Sequence, residues 1–519
     1  MRRVHRYRPH LIQRKNKTKS TTGGLNEAEN RPINGTPIDT VGFIQEALGS
    51  SPDIHIRKMA GEKLVVSYID SLIDPQLLSE LMSNLEALIQ KEVESISKEQ
   101  FADSIRAGSV KPASNQREML AGMLTGAAAV LIDGLEGAML VSIPGGARRS
   151  VEEPSSQTVI RGPKEGFTEE ISTNLSLLRK RLRAPELRLE NRVIGTYTQT
   201  RVVVAYIKGI AQPSVVEEVL KRLDAIDTDS ILESGYIEEF IQDRAFTPFP
   251  TILNTERPDT VAGALLDGQV SILIDGTPFA LICPVTFFKF FLSSEDYYQR
   301  YDISSFLRNI RLFSFLVAML LPSLYIAVTT FHPEMLPTTM LISVAAQREG
   351  TPLPALLEAM LMEITFEVIR EAGVRMPRVV GPAISIVGAL VLGQAAVQAG
   401  LVSAVMVIIV SFTAIANFVI PTFAMSAAVR LIRFGLMILA GTFGLYGILS
   451  GIIPLLMHLV SLQSFGIPYF LPVAPLNGPN MKDVFIRVPW PKMKRRPDFL
   501  SPDNQVRQGK SPKGSQNET

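Results

Sequence analysis

Five ionisable residues, Glu358, Glu363, Glu367, Arg370 and Glu371, stand in the mostly apolar stretch that runs from Thr351 up to Arg375 of this 519-residue chain. Helical spacing puts Glu363, Glu367, Arg370 and Glu371 on one face, at i, i+4, i+7 and i+8. A carboxylate in hydrocarbon is costly, so that face must turn away from lipid. Three arrangements meet the requirement. The helix lies in a membrane interface, packs its acids inward against arginines, or lines a water-filled path where carboxylates concentrate cations. A structural ion network and a conducting path both fit the pattern. Glu358, Glu363, Glu367 and Glu371 are the candidate pore or gating residues.

Catalytic patterns are weak by comparison. Asp275-Gly-Thr-Pro has the form of a short catalytic-aspartate signature, but the related turn Asp133-Gly-Leu-Glu makes a hairpin the simpler explanation of both. No glycine loop precedes a Lys-Ser/Thr pair, so the phosphate cradle of an ATPase is missing. Five scattered histidines and one cysteine, Cys283, suggest neither a metal cluster nor an internal disulfide. The expectation is a non-enzyme with no cofactor and no bound metal.

The elements that must position the acidic helix fall into two halves. Mean hydropathy is +0.20, but the apolar residues are concentrated after residue 300. In the first half, Leu64-Val-Val-Ser-Tyr-Ile and Pro75 recur as Val202-Val-Val-Ala-Tyr-Ile and Pro213, offset by 138. Leu124 through Asp133-Gly134 recurs as Leu266 through Asp275-Gly276, offset by 142. Each copy reads as a buried strand, a Pro-started amphipathic helix, a second helix, then a strand returning through an Asp-Gly turn. The expected organisation is a disordered basic tail over 1–40, one α/β subdomain over 41–145, and an exposed linker over 146–165. A second subdomain spans 166–292, a helical membrane domain 293–475, and a basic cytoplasmic tail 476–519. A cleft between the lobes is a possible ligand site, and a ligand-free assembly scaffold is the alternative.

In the second half, Leu312–Phe331, Val379–Val397, Leu401–Ile420 and Phe434–Val460 are long enough to cross a bilayer. Arg308 and Arg311 before the first, with basic residues near both chain ends, favour cytoplasmic termini and contact with anionic lipid over nucleic acid. Four spans satisfy that constraint. Counting the acidic helix gives five, and a dip around Phe279–Leu292 gives six. The fold class is thus two duplicated α/β subdomains followed by an α-helical membrane domain of four to six spans. No apolar stretch near Met1 reads as a signal peptide, so the soluble half is expected in the cytoplasm.

Several motifs carry a family resemblance. These are Thr247-Pro-Phe-Pro-Thr with Asn254-Thr-Glu-Arg-Pro-Asp259, Asp275-Gly-Thr-Pro-Phe-Ala-Leu, Gln347-Arg-Glu-Gly-Thr-Pro, Met362 through Pro377, and Ile386 through Val397. Together they resemble the A subunits of spore germinant receptors, over roughly residues 45–480. The resemblance implies a multi-pass subunit of a nutrient-sensing complex in the spore inner membrane, partnered by a transporter-like B-type subunit and a C-type lipoprotein. It also implies release of cations and dipicolinate on germinant binding, with A subunits forming a homo-oligomeric, ligand-gated channel. Pro248, Thr255, Glu256, Arg257, Pro258 and Asp259 are then the candidate coupling motif. Thr255 is expected to cap a helix running through Leu266. A secondary transporter or lipid exporter, and a non-conducting receptor scaffold, are the alternatives.

Overall fold

The computed structural model describes residues 31–33, 36–49, 51–89, 98–145, 153–154, 157–376 and 391–508. In the first lobe, strands β1 (Ile54–Met59), β2 (Leu64–Ile69), β3 (Ser109–Ala113), β4 (Ala127–Ile132) and β5 (Ala138–Ser142) pair antiparallel in the order β1-β2-β4-β5-β3. The second lobe repeats that order with β6 (Leu187–Ile194), β7 (Thr200–Ile207), β8 (Leu253–Thr255), β9 (Val270–Ile274) and β10 (Ala280–Cys283), as β6-β7-β9-β10-β8. Leu64 faces Ile132 across β2 and β4, and its counterpart Val202 faces Ile274 across β7 and β9. The two sequence offsets are therefore one strand pairing made twice.

Helices cover both faces of each sheet, which explains why the central strands are continuous apolar runs rather than alternating ones. In the first lobe α1 (Pro37–Leu48) and α4 (Gln116–Met123) pack on one face, with α2 (Pro75–Ile89) and α3 (Lys98–Ser104) on the other. In the second, α5 (Ile171–Arg181) and α8 (Pro258–Asp267) oppose α6 (Pro213–Asp224) and α7 (Ser234–Ile241). Helix α1 begins inside the expected tail. Thr36 and Asp39 form a reciprocal capping box around Pro37, and Ile33 is buried. The lobes meet at a buried ion pair. Arg179 on α5 donates to both oxygens of Asp53, at 3.0 and 3.1 Å, and Ser71 donates to the same carboxylate.

Beyond the second lobe run α9 (Tyr301–Phe331), α10 (Thr338–Arg348), α11 (Ala355–Arg375), a helical stretch at 391–398, α12 (Ala404–Phe418) and α13 (Phe423–Ser461). Two of these, α9 and α13, are long and apolar enough to cross a membrane by length and composition. Val379–Val397 lies largely outside the described residues. The expected span Phe434–Val460 is corrected in two ways. Its helix starts at Phe423, and Gly444 (φ 62°, ψ −140°) breaks it. A Cβ on Gly447 would lie 2.0 Å from the Leu439 carbonyl, and one on Gly451 2.7 Å from Leu436, so the chain doubles back at Gly444. The arms are about 30 and 25 Å long at the helical rise.

Contacts fix the direction of each helix. Phe331, ending α9, packs at the Gly444 turn, far from the lobes. Leu356 on α11 meets Gly441 near that end, whereas Glu367 reaches Arg430 nearer the lobes. Thr422 donates to the Phe290 carbonyl, and Thr247 of the second lobe meets His458, so both feet of α13 stand on that lobe. The core of the second lobe continues without a break into Phe315, Met319, Val429 and Leu436 of the bundle.

One further expectation changes. Phe279–Leu292 is not a membrane dip: β10 and the aromatic turn at Phe287–Phe291 sit inside the second lobe's core, against Phe315, Tyr469 and Phe470. Residues 476–508 belong to the basic tail. They fold against the lobe, with Arg496 donating to the Leu266 carbonyl and Arg507 paired with Asp267.

Candidate functional site

Helix α11 brings its acids to different partners, one per turn. At its start the backbone N–H and hydroxyl of Ser403, the N-cap of α12, both donate to Glu358 Oε1, at 2.6 Å each. Glu363 and Arg433 are each 1 % exposed and 2.9 Å apart. One turn on, Glu367 accepts from Arg370 at 3.0 and 2.5 Å and from Arg430 at 2.9 Å, and lies 3.5 Å from Arg433. Glu371 turns outward and pairs with Arg375 on the surface.

Arg430 and Arg433 come from the second and third turns of α13, one helical turn apart, so they match the spacing of Glu363 and Glu367. They lie within the helix and supply the counter-charge. Of the arrangements open to the acidic helix, packing inward against arginines is the one realised within a single chain. The set is incomplete in one respect: neither Glu363 oxygen, nor Arg433 Nε, has an aligned hydrogen-bond partner. A buried carboxylate held by charge proximity alone is poorly compensated, so the contact is costly to keep. Glu367, Arg370 and Glu371 also line a cavity of about 600 Å³ with Ile364 and Phe434.

The candidate coupling motif lies under the second lobe, beside the α12–α13 turn. Pro248 is exposed, while Thr255, Glu256, Arg257, Pro258 and Asp259 are buried. Arg257 donates to both oxygens of Asp259, at 3.0 and 2.7 Å, and to the carbonyls of Gln157 and Pro163. Tyr298, just ahead of α9, donates to Asp259 at 2.7 Å. Burial and that carboxylate push the Tyr298 hydroxyl well above its ordinary range. Thr255 is not the N-cap. Arg257 holds that position, and the Thr255 hydroxyl accepts from the Arg257 N–H while donating to Gln157. The linker around Gln157 and Pro163 is thus pinned to the motif instead of standing free. A cavity of about 270 Å³ lies where Gln157, Asn254 and Arg257 meet Ser293 and the α12–α13 turn at Pro421 and Thr422. This motif therefore joins linker, lobe and bundle at one point.

Sequence reasoning missed a second buried network at the root of α9. Arg308 and Arg311 converge on Asp296 at 3.2 and 2.7 Å, and Arg308 also binds Asp483 at 2.8 Å. Their charge was read as a topology signal, and their acidic partners lie in loops that carry no periodic pattern.

Comparison with known proteins identifies the family. The profile of the family described as "Bacillus/Clostridium GerA spore germination protein" matches residues 42–499. "Spore germination protein KA" of Bacillus subtilis (strain 168) is 45% identical, covering 93% of this chain and 90% of its own length. "Spore germination protein B1" of the same organism is 42% identical, covering 90% and 97%. Among solved structures, the N-terminal domain of the A subunit of the Bacillus megaterium spore germinant receptor GerK3 is 37% identical, covering 50% of this chain and 98% of its own, with a TM-score of 0.39. With the family profile spanning both lobes and the bundle, the chain belongs to the GerA family of spore germination proteins.

Proposed function

We propose that the chain is the A-type subunit of a germinant receptor, seated in the spore inner membrane with its lobes on the cytoplasmic side and working with a B-type and a C-type subunit. Among the described helices, α9 runs away from the lobes, α11 runs back, and the two arms of α13 run out and back. An even number of traverses leaves the lobes and residues 463–508 on one side.

The observation that carries the mechanism is the Glu363–Arg433 and Glu367–Arg430 network between α11 and α13. Within one chain it is closed, so a cation path between copies requires α11 to part from α13. Germinant binding by the partner shifts the lobes, the coupling motif passes the shift to α9 and the α12–α13 turn, and the freed carboxylates then line the path. Replacing Glu363 or Glu367 by Gln is expected to reduce germinant-triggered K⁺ release at normal receptor level. Undiminished release in both variants rejects a gating role. The pairing inside one chain also favours a second reading, a non-conducting subunit whose network only holds the bundle. That reading predicts that release follows receptor abundance and nothing else.

A further inference from the structure

The segment that folds back after α13 builds a cationic cavity that the germination mechanism does not use. It has a volume of about 600 Å³ and is lined by Lys482, Lys492, Lys494, Arg495, Arg496 and Arg507 against three acids, Asp267, Asp483 and Asp498. Those acids are already engaged. Asp483 binds Arg308 and Tyr297, Asp267 pairs with Arg507, and Asp498 accepts from Asn477 and Asn480. Arg496 donates to the Leu266, Asn504 and Val506 carbonyls and the Asn504 side chain, with no carboxylate. Lys482, Lys492, Lys494 and Arg495 are exposed and have no ion-pair partner among the described residues. The cavity thus holds uncompensated positive charge in a partly enclosed space, the arrangement that recognises an oxyanion.

Its position narrows the source of that anion. Asp483, on the cavity wall, is tied to Arg308, one turn before the apolar part of α9 begins at Leu312. Residues 485–487 run beside the same turns, with Asn309 donating to the Phe485 carbonyl and the Arg487 N–H donating to Ser305. Exposed Ile486 and Trp490 flank the cations, next to exposed Phe306 and Phe313 on α9. Aromatic and aliphatic side chains beside lysines at the foot of a membrane helix are the pattern of a headgroup-level surface.

We propose that this cavity holds the phosphate of an anionic phospholipid headgroup, anchoring the C-terminal segment and the second lobe to the bilayer. The assignment rests on α9 being a membrane helix and not on the gating mechanism. Trp490, the single tryptophan, reports on the site because its ring lies 5.9 Å from the Arg507 guanidinium. The full chain, purified in neutral detergent, is titrated with short-chain phosphatidylglycerol, short-chain phosphatidylcholine and inorganic phosphate while Trp490 emission is followed.

The expected result is a saturable change with phosphatidylglycerol that neither other ligand matches. It weakens at least about tenfold when Lys482, Lys492, Lys494 and Arg495 are together replaced by Gln. Raising the salt on the unaltered chain should weaken it too, which tests the charge without any substitution. An equal response to inorganic phosphate overturns the lipid assignment in favour of a free anion. An equal response to phosphatidylcholine overturns anion recognition in favour of apolar partition. Unchanged affinity in the Gln variant, with salt insensitivity, removes the site altogether. None of these readouts involves K⁺ release, so failure here is separable from failure of the gating proposal.

Discussion

Arg433 has two carboxylates within reach, Glu363 at 2.9 Å and Glu367 at 3.5 Å, and almost no contact with solvent. Removing one member of such a buried pair strands the other, at a cost of about 3–5 kcal/mol. Arg433→Ala should therefore lower the unfolding midpoint of the purified chain in detergent more than Arg375→Ala, whose pair with Glu371 is exposed. The exchange E363R with R433E separates the two functional readings. It restores the pair, so a purely structural network recovers both stability and K⁺ release. A gating carboxylate moved to α13 recovers stability alone. On α7, burial and the neighbouring Glu233 and Glu239 carboxylates push Glu238 up to about 7, from an ordinary 4.5. The folded state keeps this proton where the unfolded chain has lost it, so stability falls as pH rises from about 4.5 to 7 and is level above. Glu238→Gln should flatten part of that slope in thermal melts across this range. At this scale the sequence showed that the α11 acids needed partners. It could not show which arginines they meet, because Arg430 and Arg433 lie some sixty residues away across a contact that no local spacing encodes.

Among the elements, Gly444 is where composition gave the wrong shape. The stretch from Phe423 to Ser461 is apolar and almost uninterrupted, which reads as helix throughout. What turns it is a positive φ that a side chain resists, and room for a hydrogen alone: a Cβ would stand 2.9 Å from Phe331. Gly444→Val should destabilise the bundle by about 2 kcal/mol or more, from backbone strain plus the clash. A thermal midpoint in detergent no lower than that of Gly435→Val, whose added Cβ meets nothing, would contradict this. The duplicated central strands were legible because helices on both faces demand mostly apolar runs, as in Leu64–Ile69 and Val202–Ile207. The outer strands were not. β8 is three residues long, β3 carries Pro112, and β1 has no fully buried position. Edge strands need little apolar sequence, since only one side must pair.

For the molecule as a whole, the division between soluble and membrane halves proved less clean than composition suggested. The first lobe has cores of its own, while the second shares one with the bundle. Motion of the first lobe therefore reaches the helices through the second lobe, by way of Asp53 and Arg179 and of Arg188, which donates to the Ala47 and Glu46 carbonyls. Asp53→Ala should loosen that joint. Limited proteolysis between residues 146 and 165 should then run faster, and equal rates would show that the joint does not restrain the lobes. The last stretch of chain also finishes the second lobe: Ser464 bridges Thr251 and Val285, and Tyr469 covers Phe287 while donating to the Pro250 carbonyl. Translation therefore imposes a sequence of events on folding. Ser464 and Tyr469 are made only after the bundle, so the cover over Phe287 and the bonds to Thr251 and Pro250 are the last part of the second lobe to form. A chain stalled or clipped before Ser464 lacks all three contacts.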